Sequence, residues 1–468
     1  MTRFINFNNL TTIALRKRKN ETEIDDRMKK RARFNEMTIN SMPNELLWEI
    51  FSLLDRDSLL NANLVNKNWN NLICSTSLVE KIDKLYITAE KVDNFIPDLT
   101  RKYTSVRFDD IVDWSSELME QLKAIGKCIT NVTFVECVFF GNDIINLLQM
   151  FPYCKFMEIS CCYEGCTPYE KYTSFPFRKV EMKSLKTVVL RGYSWPLSYI
   201  STPNLKRLEV ETLGKEDQET LIIFLNTLKE LRTLHLVDIH DLFDSRCGTI
   251  RTPKFKLKEL LMVNLPLMDS DQMIRFLRHM KDSVTLLELG SELNVRVCEY
   301  ILLNFNNIYS LNIDYECFPR ARSFYQKMEM NKNLKYLALY GNMRSSKQLM
   351  YFLKRNTCVE ELLMSELHGL HPNNYEFWHQ FSSLVPNLHT LCVRRINVYN
   401  MVFIKLKNLK HLDVEYIGYA TCNSWIQFCL NNPKIESFHI FARYQDYFKN
   451  IEYIIRGSLN HLNDFFSN

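Results

Sequence analysis

Glycine is scarce in this chain of 468 residues, and it is scattered. The eleven glycines run from Gly126 to Gly457, and no two lie within ten residues of each other. Phosphate-cradling loops and the nucleophile elbow of serine hydrolases need glycines a few positions apart, so that backbone N–H groups can approach a ligand. The spacing here excludes both. Long apolar runs are missing too: nothing approaches the ~20 consecutive residues that a bilayer-crossing helix needs. No membrane association is therefore expected. The stretch from Phe4 to Leu15 is interrupted by Asn6, Asn8, Asn9, Thr11 and Thr12, and no small-residue cleavage site of the secretory kind follows it. The expectation is a reducing setting, cytoplasmic, nuclear or both. There the fourteen cysteines serve as small apolar side chains rather than as a disulfide framework.

A surplus of one charge is also missing from most of the chain. The formal net charge is +5, but residues 1–37 alone hold ten Lys/Arg against five Asp/Glu. The other 431 residues carry 49 of each sign. A nucleic-acid-binding body needs basic surface to displace counterions from phosphates. The balance argues against a nucleic-acid partner.

Three zones follow from pattern. Residues 1–37 are polar, rich in Asn and Lys/Arg, and without a sustained apolar period; they read as a disordered basic tail. Within them Arg16, Lys17, Arg18 and Lys19 form one cluster and Lys29, Lys30, Arg31 and Arg33 another. Two basic clusters nine residues apart on a flexible segment resemble a bipartite nuclear-import signal. Residues 38–80 predict three short helices. Pro43 suits a first helical turn, and Leu46, Leu47, Ile50, Phe51, Leu53 and Leu54 follow at helical spacing. Asp57 is the expected N-cap of a second helix through Leu59, Leu60, Leu64 and Val65. A third carries Trp69, Leu72 and Ile73. A unit of about forty residues cannot bury this many large apolar side chains internally, so some of them should meet another surface.

From residue 81 to 468 the chain repeats. A six-residue pattern (apolar, two variable, apolar, variable, apolar) recurs fifteen times, from Ile82/Leu85/Ile87 to Ile435/Phe438/Ile440, at intervals of 20 to 31 residues. Leu334-Lys-Tyr-Leu337-Ala-Leu339-Tyr-Gly-Asn342 is the fullest instance, and Cys137 and Cys162 occupy the Asn342 position in earlier units. This is the period of leucine-rich repeats, each supplying a strand and a return segment. The fold class predicted is α/β: a leucine-rich-repeat solenoid, horseshoe-shaped, with parallel strands on its concave face, preceded by the three-helix unit. Because neighbouring strand side chains point to opposite faces, the apolar set enters the core and the variable set faces out. Return helices are expected over 269–281 and 345–355, with an end cap over 451–466.

The segment Ser41–Trp69 resembles the F-box motif in Met42-Pro43, Glu45-Leu46, Ile50, Leu54, Asp57, Leu59, Leu64-Val65 and Trp69. Met42 replaces the usual leucine, and Asn66 stands where the family often has cysteine. Together with the repeats, the chain resembles the F-box/leucine-rich-repeat family of substrate receptors. That resemblance implies a Skp-type adaptor as partner, and through it cullin and RING subunits. The repeats would bind a protein substrate for ubiquitination and proteasomal degradation. It implies an adaptor contact through Met42, Pro43, Leu46, Ile50, Leu54, Leu59, Leu64, Val65 and Trp69. The alternative is a leucine-rich-repeat interaction protein that binds the adaptor without ubiquitin transfer.

Neither role asks the chain for chemistry, since holding a substrate near a reactive thioester acts by effective concentration. No catalytic group and no cofactor is expected. Cys161, Cys162 and Cys166 lack the second ligand pair of a zinc site, so no metal is expected either. On three late repeats, His389, Arg394, Arg395, His411, His439 and Arg443 form a candidate substrate surface for an acidic or phosphorylated partner. Asp413 and Glu415 sit among them.

Overall fold

The computed structural model describes residues 39, 42–75, 78, 83–97, 103–140, 142–165, 179–213, 218–239, 253–265, 269–290, 293–329, 331–341, 346–365, 375–396, 404–416 and 422–442. The basic tail with both its clusters, Cys166, Asn342, Arg443 and the expected end cap at 451–466 lie outside these residues. The chain divides into two compact units, Met1–Lys84 and Leu85–Asn468.

The larger unit is built on one open parallel sheet of fifteen strands in sequence order. The strands are β1 (Lys84–Thr88), β2 (Ser105–Asp109), β3 (Asn131–Val135), β4 (Phe156–Ser160), β5 (Thr187–Arg191), β6 (Arg207–Glu211), β7 (Thr233–Val237) and β8 (Glu259–Val263). They continue as β9 (Leu286–Leu289), β10 (Ser310–Asp314), β11 (Tyr336–Tyr340), β12 (Glu361–Ser365), β13 (Thr390–Ile396), β14 (His411–Tyr416) and β15 (Ser437–Ala442). Each coincides with one sequence repeat. Parallel neighbours need a crossover between them, and nine such segments are α-helices among the described residues. The two return helices expected from sequence appear as Ser270–Arg278 and Ser346–Arg355.

Register explains the repeat. Leu208, Leu234, Leu260, Leu287, Leu311, Leu337, Leu362, Leu391 and Leu412 are direct partners along the ladder. All of them are buried. Shifting any strand by one residue would turn its leucines outward and its polar set into the core. The alternation therefore pins every strand to its neighbour.

A second regularity was invisible in the sequence. Asp110, Glu136, Cys161, Gly192, Thr212, Asp238, Asn264, Gly341 and Arg395 all adopt positive φ. Each follows the fifth residue of a strand unit. In the early repeats this residue's N–H adds one more bond to the ladder, as in Asp110 N to Val135 O at 2.9 Å and Thr212 N to Val237 O at 2.9 Å. The left-handed turn then carries the chain off the sheet. The position that follows is the one Asn342 holds in the fullest repeat. In earlier repeats Ile111, Cys137, Cys162, Leu213, Ile239 and Leu265 fill it and are buried, so apolar packing seals that corner.

Gly341 marks where this geometry is least forgiving. Its φ is +93°, and a Cβ there would lie 2.3 Å from Asp314 Oδ1. Asp314 is buried and held in place, because its Oδ1 accepts from Glu316 N at 2.8 Å. Gly341→Ala is expected to destabilise the sheet around β10 and β11 by about 2 kcal/mol. A fall in the denaturant midpoint of the full chain measures it; an unchanged midpoint counts against the strain.

Candidate functional site

The smaller unit is a three-helix knob: α1 (Asn44–Ser52), α2 (Arg56–Val65) and α3 (Lys67–Ser75). Local chemistry sets the boundaries. Pro43 precedes α1 in an extended conformation, where its missing N–H costs nothing. α2 begins two residues earlier than Asp57 predicts. Asp55 is the cap, its carboxylate accepting from Ser58 N at 2.8 Å, and that bond holds the Asp55 carboxyl below the ordinary carboxylate range. Asn66 then caps α3, with Oδ1 accepting from Trp69 N at 2.9 Å. Placing an asparagine where the F-box pattern often has cysteine thus gives the third helix a start signal.

Packing divides the apolar residues into two sets. Leu47, Phe51, Leu59, Ala62, Trp69, Ile73 and Leu78 form the core of the knob, with the Phe51 and Trp69 rings edge-on at 5.0 Å between centroids. Leu59 and Trp69 are expected at the adaptor contact, but Leu59 is fully buried and Trp69 is 8% exposed. Both belong to the knob's own core: Leu59 shares the inner face of α2 with Ala62, and Trp69 closes over Phe51. Met42 and Leu54 are half-buried against this core. Pro43, Leu46, Ile50, Leu64 and Val65 remain exposed, Leu64 to 78%.

Sequence reasoning missed two exposed residues. Leu53 is 86% exposed and Trp48 39%. Leu46 and Ile50 lie on one stripe of α1, and Leu53, the C-cap residue in helical conformation, continues the row at i+7. Leu47 and Phe51, at i and i+4, form the inward stripe. α1 therefore carries two apolar faces, and only one has a partner within the knob. Covering a large aliphatic side chain is worth about 1.5–3 kcal/mol, so the open stripe is a strong driving force for association.

The late-repeat surface is less coherent than its sequence suggests. Arg394, on β13, is exposed and lies 3.7 Å from Asp413. Arg395 falls at a register shift between β13 and β14, so the strand alternation does not place it with Arg394; it lies 3.7 Å from Glu415. His389 precedes β13, and its carbonyl accepts from Lys410 N and His411 N. His411 Nδ1 is 2.8 Å from Ser437 Oγ. His439 is in register with Asp413. The two carboxylates offset the two arginines, so this late-repeat surface is mixed in charge rather than cationic.

Burial pushes the thiols up, to about 12 at Cys154 and Cys317 and about 11 at Cys392, where the Asp413 carboxylate adds to the effect. They stay protonated at neutral pH and act as packing groups. Cys162 is buried in the repeat corner described above, while Cys161 is exposed. Among the described residues no group of three His, Cys, Asp or Glu is arranged to hold a metal ion. No described helix is long and apolar enough to cross a membrane.

Comparison with known families decides what the knob is. Residues 39–84 match the F-box-like family model. The chain carries an F-box-like domain. Its three helices, caps and core fall inside the matched residues. No curated protein matches the chain. Among solved structures, a crystal structure of a Rad7 and Elc1 complex in yeast aligns over 94% of this chain and 97% of that one, at 12% identity and a TM-score of 0.37. A likeness of that size adds nothing to the fold derived above. The signal that would have found Leu53 in the F-box-like domain was present in the sequence, as the third member of the Leu46 and Ile50 row. Nothing in the pattern separated that row from the Leu47 and Phe51 row.

Proposed function

We propose that the chain is the substrate-recognition subunit of a Skp–cullin–F-box E3 ubiquitin ligase. The F-box-like domain binds a Skp-type adaptor, which brings cullin and RING subunits. The solenoid binds the protein to be modified and sent for proteasomal degradation. One observation carries this reading: Leu46, Ile50 and Leu53 form an open apolar row in a domain that already has a complete core of its own. The sites proposed for the adaptor are Met42, Pro43, Leu46, Ile50, Leu53, Leu54, Leu64 and Val65. The two core residues, Leu59 and Trp69, support them from beneath.

The role asks for no reacting group in this chain. A receptor works by position, raising the effective concentration of a substrate lysine near a thioester carried by another subunit. A solenoid suits that task, because its repeats form one extended, stiff surface. We further propose a cytoplasmic or nuclear setting, with the clusters at Arg16–Lys19 and Lys29–Arg33 acting as an import signal.

Reconstitution tests the reading. The purified chain is combined with Skp-type adaptor, cullin, RING subunit, conjugating enzyme and ubiquitin, and proteins captured through the solenoid are followed for modification. Transfer that depends on the F-box-like domain is the expected result. Adaptor binding without transfer, while a control receptor supports it, would favour an interaction protein that uses the adaptor for another purpose.

A further inference from the structure

The outward face of the sheet changes character along its length, and the change bears on what it binds. From β4 to β8 every outward carboxylate meets a cation. Glu158 and Glu211 both pair with Arg191, and Glu209 pairs with Arg207. Glu259 lies 2.7 Å from His235 and 3.7 Å from Arg207. At the far end, Asp413 and Glu415 meet Arg394 and Arg395. The stretch between these paired regions differs.

There the outward positions hold Leu261, Leu286, Tyr336, Tyr340 and Leu363, with Leu286 40% exposed. Three carboxylates interrupt them: Asp314 on β10 is buried, with Oδ1 accepting from Glu316 N, whereas Glu288 on β9 and Glu361 on β12 reach solvent. Neither makes an ion pair or a side-chain hydrogen bond with any described residue. The neighbouring Glu360 is already engaged by Lys335. Asn312 is the ladder partner of Glu288, and its side-chain oxygen is enclosed with no donor among the described residues. Among the described residues, three acceptors thus stand without donors within an apolar and aromatic surface.

Resting on the receptor reading above, we propose that this middle face docks an extended basic–apolar segment of the substrate protein. Exclusion matters here as much as attraction. In the free chain Glu288 and Glu361 keep their water. A partner that covers Leu286, Tyr336 and Leu363 removes it, and an unpaired carboxylate beneath such a partner is strongly unfavourable. Only a partner bringing its own cations escapes that cost. Arginine suits best, because its planar guanidinium also stacks on tyrosine faces.

Spacing narrows the segment. Glu288 and Glu361 are three strands apart, about 14 Å at ~4.8 Å per strand, and two residues apart along the strands, about 7 Å. Their separation is therefore roughly 16 Å; four extended residues span at most about 14 Å and five about 17 Å, and the reach of two long cationic side chains makes up the shortfall at four. Four is favoured, since residues i, i+2 and i+4 of an extended segment share one side. The segment then reads cation, any, apolar, any, cation.

The test uses the full chain and fluorescein-labelled synthetic peptides of serine and glycine, with arginine at positions 3 and 7 and leucine at position 5. Companion peptides replace both arginines by glutamate or by phosphoserine. Binding is followed by anisotropy in low and high salt. The arginine peptide should bind, weaken with salt, and exceed both companions at least tenfold. Glu288→Lys and Glu361→Lys should each reduce its binding at least tenfold, and the isosteric Glu288→Gln and Glu361→Gln should reduce it less. Should a lysine variant fail to fold, its glutamine counterpart carries the test. No binding of the arginine peptide, binding indifferent to all four substitutions, or preference for the phosphoserine peptide overturns the proposal. Adaptor co-purification is scored on the same preparation. Peptide binding without adaptor leaves this docking face standing and removes the receptor reading; adaptor without peptide does the reverse.

Discussion

Replacing Leu53 and Leu64 together by aspartate is expected to abolish co-purification with a Skp-type adaptor while leaving the F-box-like domain folded. Both side chains stand in solvent, at 86% and 78% exposure, and neither is part of the domain's core. Charge there costs the free protein little. In a complex each aspartate would be buried without a partner while an apolar contact is lost, and a central interface residue commonly contributes about 2 kcal/mol or more. Two such losses, about 4 kcal/mol together, weaken binding about 700-fold or more, since about 1.4 kcal/mol is a factor of ten. Far-ultraviolet circular dichroism and the unfolding midpoint should not change. Full retention of the adaptor by the double variant would remove this face from the contact.

Trp69→Ala should act in the opposite way, through folding. Its ring packs on Phe51 at 5.0 Å, and truncating a buried tryptophan costs about 3–5 kcal/mol. A helical unit of this size has little stability to spare, so the three helices should lose protection from hydrogen exchange in the full chain. Trp69→Phe separates shape from polarity. Trp69 Nε1 is buried with no hydrogen-bond partner among the described residues, and phenylalanine removes that orphaned donor while keeping a ring. The expected change is small, within about 1 kcal/mol. Equal losses for both variants would show that ring packing is not what Trp69 supplies.

Leu59, Leu64 and Trp69 are all apolar positions of one motif, yet one stands in solvent and two form a core. Helical spacing identifies that a position is apolar; it does not say which of two apolar stripes has a neighbour. On α1 the Leu46, Ile50, Leu53 row and the Leu47, Phe51 row are equivalent in sequence. α2 and α3 cover one and leave the other. The late-repeat cluster shows the same limit in electrostatic form. Arg394 and Arg395 are adjacent in sequence, but a register shift separates them on the sheet, and Asp413 and Glu415 approach from the next strand.

Strand number, strand order and inward faces were all legible in the chain's own pattern. The reason is that a repeat unit encodes its strand locally: alternation over six residues specifies the buried side, and fifteen copies at a near-constant interval leave parallel stacking as the way to bury them together. Whatever depends on a neighbour outside the unit was settled in three dimensions. Packing selected Asp55 over Asp57 as the cap of α2 and put Leu59 and Trp69 inside. Among the described residues it also left Glu288 and Glu361 without an ion pair while pairing the carboxylates on either side, because a charge finds its partner across strands, at distances in space that no local pattern records.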